Sequence, residues 1–398
     1  MSHADSSATD GALAAIAAAI ADPQHPAKTE VASFAATELA QGDRVGDELA
    51  SRFAVDDWRR CADRGLLAVM VPTEFGGAGA DWATTLLTLE GLGLGCRDEG
   101  LAFAIGSQIL STQEVLVRFG TNEQRDRWLG PLIGGEAFGA FCMTEPETGS
   151  DAYAHAATAL RNDDGTYTLN GHKAYITLGS VADVAVVFAK TNPDAGAWGV
   201  SAFLVPLDAP GFERRPNRDK MGMRTTPFCD FVFHDVVLPH TALIGREGSG
   251  ASIFNSIIEV ERAFVFATQV GSMERQLNEA IAYAITREQG GQPIAGYQAV
   301  AHQLVDMKRQ HETARLFLYR AALAHASGTD FPMAAALGKL VGAETGIAAA
   351  MSSVEVHGAK GYVTEFEVER GLRDAVGGLV YSGTSAIQKN IIARLLGL

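Results

Sequence analysis

The sequence predicts a mainly α-helical protein with a central β domain. Three observations lead there. Residues from about 26 to 139 carry apolar positions at helical spacing. Residues 140–245 switch to short β-prone runs separated by turn residues. From about residue 248 helical spacing returns. The expected domains are 1–139, helical, with 1–27 set apart as a flexible lead; 140–245, a small antiparallel β domain; and 246–398, helical again.

Within the first stretch, Leu49, Phe53, Trp58, Ala62 and Leu66 recur at spacings of four or five among charged positions, a helical run over 47–66. Pro72 and Gly76-Gly77-Ala78-Gly79 break the chain. Helical patterns resume over 82–94 and 101–119, and Thr121 with Glu123 marks a further start. In the second stretch the β-prone runs are Tyr167 with Leu169, then 174–177, 184–188, 200–205, 228–233 and 236–238. Asn162-Asp163-Asp164-Gly165, Asn170-Gly171 and Asn192-Pro193-Asp194 punctuate them as turns. In the third, 251–287 carries no proline, and helical patterns run over 297–327, 333–357 and 383–396. No repeat of fixed period is evident.

The chain has 398 residues, with 32 Lys and Arg against 47 Asp and Glu, a net charge of −15. That balance argues against a nucleic-acid or anionic-membrane binder, since both need clustered cations. An apolar content of 47% with 20% charged residues excludes general disorder. Cys61, Cys96, Cys142 and Cys229 are scattered, with no C-x-x-C and no His cluster, so neither zinc nor a disulfide framework is expected. Free thiols fit a reducing cytoplasm. The apolar run 11–21 follows Asp5 and Asp10 rather than a basic segment, so it reads as a helix start and not a leader. No other run reads as membrane length.

Four constellations carry chemistry. Thr144-Glu145-Pro146-Glu147-Thr148-Gly149-Ser150-Asp151 stands where helix gives way to strand. Pro146 restricts the backbone and Gly149 frees it, so this is either a plain polar turn or a cradle of N–H donors for a phosphate. Along 174–177, Tyr175 and Thr177 share one strand face. They pack as part of a half-buried strand or cover a planar ring system. On the helix over 252–265, Glu261 has Ile257, Ile258, Phe264 and Val265 as neighbours, all apolar, whereas Glu259 has Asn255, Ser256, Arg262 and Ala263. Glu259 thus reads as a surface carboxylate with an ion pair to Arg262. Glu261 reads as a desolvated carboxylate, either satisfied by a buried donor or usable as a general base. Finally, Gly383-Thr384-Ser385 looks like a loop capping a helix with hydroxyls.

Together these segments resemble the acyl-CoA dehydrogenase family of flavoproteins. The resemblance runs from about Lys28 to Leu398. It rests on AFCMTEPETGSD (140–151), LNGHKAYIT (169–177), KMGMRTT (220–226), EVHGAKGY (355–362), ERGLRDA (369–375) and YSGTSAIQKNIIARLLGL (381–398), with PTEFGGAG (72–79) and FGTNEQRDRWL (119–129). It implies an N-terminal helical domain, a middle β domain and a C-terminal four-helix bundle, with FAD held between the last two. It also implies a homodimer or homotetramer. By resemblance Phe141, Met143, Thr144, Gly149 and Ser150 line the flavin and its phosphates. Tyr175, Ile176 and Thr177 lie against the isoalloxazine, where the family more often has Trp at the Tyr175 place. Arg287 and Gln289 of a neighbouring subunit reach the pyrophosphate. Glu355, Val356 and Gly358 do likewise, with Glu355 where Gln is usual. Thr384 and Ala386 approach from their helix start.

The departure is Ser382, which stands where most of the family carries its catalytic Glu. A serine hydroxyl is too weak a base to take an α-proton unaided. One branch, which includes isovaleryl-CoA dehydrogenase, places its Glu on a C-terminal-domain helix directly before an Arg, and Glu261-Arg262 occupies that place. The implied reaction is α,β-dehydrogenation of an acyl thioester, on CoA or a carrier protein, to the trans-2-enoyl product. Glu261 is the base. Ser150, Arg262, Tyr381, Ser382 and Gly383 line the substrate, and an electron-transfer flavoprotein receives the electrons. The alternatives are a flavin oxidase or monooxygenase of the same fold, or a non-catalytic subunit.

Overall fold

The computed structural model describes residues 3–39 and 41–398. It has the α–β–α order read from the sequence. Helices α1 (His3–Ala21), α2 (Pro26–Glu38), α3 (Arg44–Leu49), α4 (Val55–Asp63), α5 (Trp82–Gly95), α6 (Glu99–Gln108), α7 (Glu114–Phe119) and α8 (Asn122–Ile133) come first. Strands β1 (Gly139–Cys142), β2 (Thr158–Arg161), β3 (Tyr167–Thr177), β4 (Val184–Lys190), β5 (Val200–Pro206), β6 (Phe212–Arg214), β7 (Phe228–Leu238) and β8 (Leu243–Ile244) follow. Then come α9 (Gly250–Phe264), α10 (Ala267–Thr286), α11 (Gln298–Ser327), α12 (Phe331–His357), α13 (Ala359–Tyr362), α14 (Val368–Val376) and α15 (Ser385–Leu395). Helices α9 to α12 pack on one another as a bundle. Of the lead 1–27, residues 1–2 lie outside the described residues, and 3–21 form α1.

Helix α5 joins the N-terminal helices to the bundle. A side chain at Gly91 would meet the Lys28 carbonyl of α2 at 2.3 Å, and one at Gly93 would meet the Thr268 carbonyl of α10 at 1.8 Å. These glycines therefore let two helices approach α5 backbone to backbone. In the sheet, β4 is an unbroken apolar run because both faces are covered. Ala185, Val187 and Ala189 face one core with Tyr167 and Leu169. Val184, Val186 and Phe188 face another, formed with α7, α8 and α9.

Several expectations change. The run over 47–66 is two helices, α3 and α4, and Leu49 is 66% exposed rather than core. Thr121 does cap α8, but its reciprocal partner is Gln124, not Glu123. The sheet is mixed: β1 runs parallel to β4, and β2 meets β4 in parallel at Thr158–Lys190. Asn170-Gly171 is a bulge inside β3, not a hairpin turn. Asn170 there exchanges hydrogen bonds with Asp235 on β7, at 2.9 and 2.8 Å, which holds the chain in the sheet. The proline-free stretch 251–287 breaks after Phe264, with no local residue to announce it. Residues 99–119 form one apolar helical run through a π-helical turn at Ile109–Gln113. At 21 residues it reaches membrane length, contrary to expectation, but 78% of its apolar window is buried in the protein.

Candidate active site

The Thr144–Ser150 loop is built on a buried ion pair. Lys173 on β3 is fully buried and donates to Glu145 Oε1 at 2.9 Å and to the Met143 carbonyl at 3.0 Å. Glu145 also accepts the Ala156 and Ala157 N–H groups at 2.6 and 3.0 Å. Burial opposes ionisation of Glu145, but Lys173 and these donors together hold its pKa below the usual range. So anchored, the loop closes on itself through Glu145 and Thr148 and presents Gly149 and Ser150 to solvent. Their N–H groups and the Ser150 hydroxyl bond to nothing among the described residues. Gly149 is not left-handed, contrary to expectation. Its use is its open space: a side chain there would meet nothing nearer than Thr144 at 3.8 Å. Phe141 stacks on Phe254 of α9 at 6.1 Å, while Met143 is buried.

Tyr175 stands at a second irregularity. The β3–β7 register shifts between Lys173 and Ile176, so Lys173 and Ala174 both point inward. Tyr175 takes φ +61° and is 48% exposed, so it does not share a plain strand face with Thr177. Such a φ costs a non-glycine residue roughly 1 kcal/mol. Asp230 of β7 stabilises it. Its Oδ1 accepts the Tyr175 N–H at 3.2 Å and Arg218 Nε at 2.8 Å. The Arg218 guanidinium in turn lies 4.9 Å over the Tyr175 ring. The Arg218 hydrogen bond leads in pulling the Asp230 pKa down to about 2. Ile176 is buried and Thr177 half-buried.

Glu261 lies on the last turn of α9. Its Oε1 accepts a hydrogen bond from Ser382 Oγ at 2.9 Å, across 121 residues of sequence. Burial raises its pKa to about 6, against the opposing pull of the Ser382 hydroxyl and Arg262. The carboxylate is crowded by protein yet partly open to water, as expected of a group in a cleft. Glu259 is half-buried and its pKa is raised, so it is not the surface carboxylate expected, and no ion pair joins it to Arg262. Ser382 and Gly383 are both left-handed, at φ +52° and +84°. Gln388 Nε2 holds the carbonyls of Ser382 and Gly383 at 3.3 and 2.9 Å, and Thr384 caps α15 by accepting the Ile387 N–H at 3.2 Å. The Ser382 N–H bonds to nothing among the described residues. The Tyr381 ring packs between Phe103 and Phe266, at 4.8 and 5.3 Å.

The remaining residues sit apart. Arg287 and Gln289 are exposed on a hairpin at the end of α10. Exposed Glu355, buried Val356 and exposed Gly358 end α12 at the same end of the bundle, where Glu355 accepts Gln303 Nε2 at 2.7 Å. Among the described residues no hydrogen bond or ion pair ties this set to the Gly149–Ser150 loop. Ala386 is exposed at the start of α15. The sequence reading missed Lys173, Asp230 and Lys339. The last is fully buried, donates to the Gly378 carbonyl at 2.7 Å, and is pushed down to about 8, chiefly by burial. A lysine inside an apolar run was the available signal.

Comparison with known proteins gives the family. Residues 22–136, 140–236 and 248–397 match the N-terminal, middle and C-terminal domain models of acyl-CoA dehydrogenase. The chain belongs to the acyl-CoA dehydrogenase family, oxidoreductases acting on CH–CH bonds. It is 37% identical to an L-prolyl-[peptidyl-carrier protein] dehydrogenase of Pseudomonas fluorescens, over 95% of this chain and 98% of that protein. It is 34% identical to an acyl-CoA dehydrogenase of Bacillus subtilis, over 92% and 96%. Among solved structures, the prolyl acyl carrier protein oxidase AnaB superposes with a TM-score of 0.91 at 37% identity, covering 94% of this chain and 98% of that one. PigA, solved with FAD and proline, gives 0.88 at 33%, covering 100% and 98%.

Proposed function

We propose that the protein is an FAD-dependent dehydrogenase of an acyl thioester, carried on CoA or a carrier protein, with Glu261 as the base that takes the α-proton. The observation that carries this reading is the 2.9 Å contact between Glu261 and Ser382. Position 382 is where most of the family carries its base, and here a carboxylate from another helix reaches the same spot. A pKa of about 6 leaves Glu261 ionised at neutral pH yet basic enough to hold a proton. The Ser382 N–H is free to meet the thioester oxygen, where negative charge develops as the proton leaves.

The chain fits the cofactor. The unpartnered N–H groups of Gly149 and Ser150 suit a phosphate in a protein of net charge −15, because backbone dipoles need no basic field. Thr144 lies beside them, and Tyr175 offers an exposed ring for a planar system. Thr384 and Ala386 stand at a helix N-terminus, which favours negative charge. Arg287 and Gln289, with Glu355, Val356 and Gly358, would serve the diphosphate of a second copy in a homodimer or tetramer. FAD held there would supply the acceptor for the β-hydrogen, so that loss of the α-proton to Glu261 would give the trans-2-enoyl thioester. Arg262 and Tyr381 stand beside Glu261, where they would line the substrate.

Glu261→Gln, loaded with FAD, should stay yellow but fail to bleach with acyl thioesters under argon. Bleaching at the wild-type rate overturns the assignment. Reoxidation by electron-transfer flavoprotein rather than oxygen marks a dehydrogenase. Rapid oxygen uptake would instead mark an oxidase, as AnaB is named.

A further inference from the structure

Lys28, Lys173 and Lys339 are each at most 1% exposed, and the first two face carboxylates: Lys28 pairs with Glu90 and Glu274, and Lys173 with Glu145. Lys339 on α12 has no carboxylate within ion-pair distance among the described residues. Its ammonium makes one hydrogen bond there, to the Gly378 carbonyl at 2.7 Å. The charge that bears on it is that of Arg262, which repels it. With a pKa of about 8 it is still mainly protonated at neutral pH, so the bond to Gly378 is charge-assisted. A cation buried without a counter-ion is costly, and this one is directed wholly at a backbone turn.

That turn, Gly377–Leu379, leads from α14 to Ser382. It is wedged as well as bonded. A side chain at Gly378 would meet the Phe266 ring at 3.1 Å, and one at Gly342, three residues on from Lys339, would meet the same ring at 3.0 Å. The Gly377 carbonyl then accepts the Val380 and Tyr381 N–H groups at 3.0 and 3.2 Å. Next comes Ser382, left-handed at φ +52°, whose hydroxyl reaches Glu261 at 2.9 Å. A strained residue keeps its conformation only where its surroundings fix it. Gln388 fixes Ser382 from the far side, through the carbonyls of Ser382 and Gly383. Lys339 and Phe266 fix it from the near side.

We infer that Lys339 is a positioning residue for proton abstraction: by holding the Gly377–Leu379 turn, it sets the hydroxyl and N–H of Ser382 against Glu261 and the thioester. The inference rests on the reading of Glu261 as the base. Of the groups around Glu261, the Ser382 hydroxyl and Arg262 lower its pKa, and Tyr381 stands beside it. Lys339 acts on it through Ser382.

The test is Lys339→Met in the FAD-loaded protein, read by anaerobic bleaching with the faster of two probes, butyryl-CoA and pyrrolidine-2-carbonyl-pantetheine. The rate at saturation should fall at least about tenfold with KM within about twofold of wild type, because a misplaced group is felt in the transition state. The acid limb of the pH–rate profile should move upward from about 6, as in Ser382→Ala. With Ser382→Ala already in place, Lys339→Met should move the limb no further. A limb that stays near 6 overturns the inference, since a merely structural lysine would leave it there. A shift that adds in full to that of Ser382→Ala overturns it too, since Lys339 would then act on Glu261 by charge alone. If Lys339→Met does not hold FAD, Gly378→Ala keeps the lysine but pushes the turn off Phe266 and should give the same loss and the same shift; wild-type behaviour there overturns the inference. Either failure, with Glu261→Gln inactive, leaves the thioester reading standing. Glu261→Gln bleaching at the wild-type rate, or a wild type bleached by neither probe, overturns both.

Discussion

Replacing Glu261 by Gln should make the protein inactive and more stable, and the second effect should depend on pH. The folded carboxyl has a pKa of about 6 against 4.5 for the free group, a gap of about 1.5. At 1.36 kcal/mol per unit that is about 2 kcal/mol, discounted to about 1 because the group is partly open to water. The sign follows from linkage. Between pH 4.5 and about 6 the folded state holds a proton the unfolded chain has lost, so stability falls as pH rises through that window. Above it the full cost of the buried charge is present; below pH 4.5 there is none. Glutamine carries no charge and still accepts from Ser382, so it removes the cost only at high pH. With roughly 2.1 cal/mol/K per residue over 398 residues, about 1 kcal/mol is roughly 1 °C. Thermal melts of both proteins with FAD bound should therefore separate by roughly a degree at pH 8, with the variant higher, and coincide at pH 4. Thioester bleaching by the variant should fall by at least about 100-fold. A variant less stable at pH 8, or a pH-independent difference, would refute a desolvated Glu261.

Other outcomes follow from the same geometry. Ser382→Ala removes a hydrogen bond that lowers the Glu261 pKa; the acid limb of kcat/KM should move upward from about 6, which a pH–rate profile reads. Lys173→Met leaves Glu145 without its buried cation and should cost about 3 kcal/mol in urea unfolding, whereas losing the exposed Arg59–Asp56 pair should cost less than about 0.5. Asp230→Asn loses the charge that pairs with Arg218 and weakens the acceptor for the Tyr175 N–H. Flavin affinity, followed by flavin fluorescence, should fall severalfold with little change in the rate of the saturated enzyme. Arg287→Ala should release FAD from the assembled protein, an effect read by gel filtration with absorbance at the flavin band.

The helical and β stretches were legible because period and turn chemistry are local. So was Glu261: four apolar neighbours on one helix mark an unusual carboxylate whatever surrounds it. The Asn170-Gly171 bulge was not legible, because the same dipeptide makes a hairpin or a bulge according to whether a residue such as Asp235 lies across from it. Nor was the end of α9 at Phe264, which no proline or glycine marks. The clamp of Lys173 on Glu145 needed two segments 28 residues apart to meet in a space without water. Sequence alone determined the layer order and nominated the carboxylate. Only the tertiary structure decided that Glu261 meets Ser382 and that Lys339 holds the turn before Ser382. Desolvation and hydrogen bonding are set by what the chain brings from far away, and a linear pattern holds no record of that.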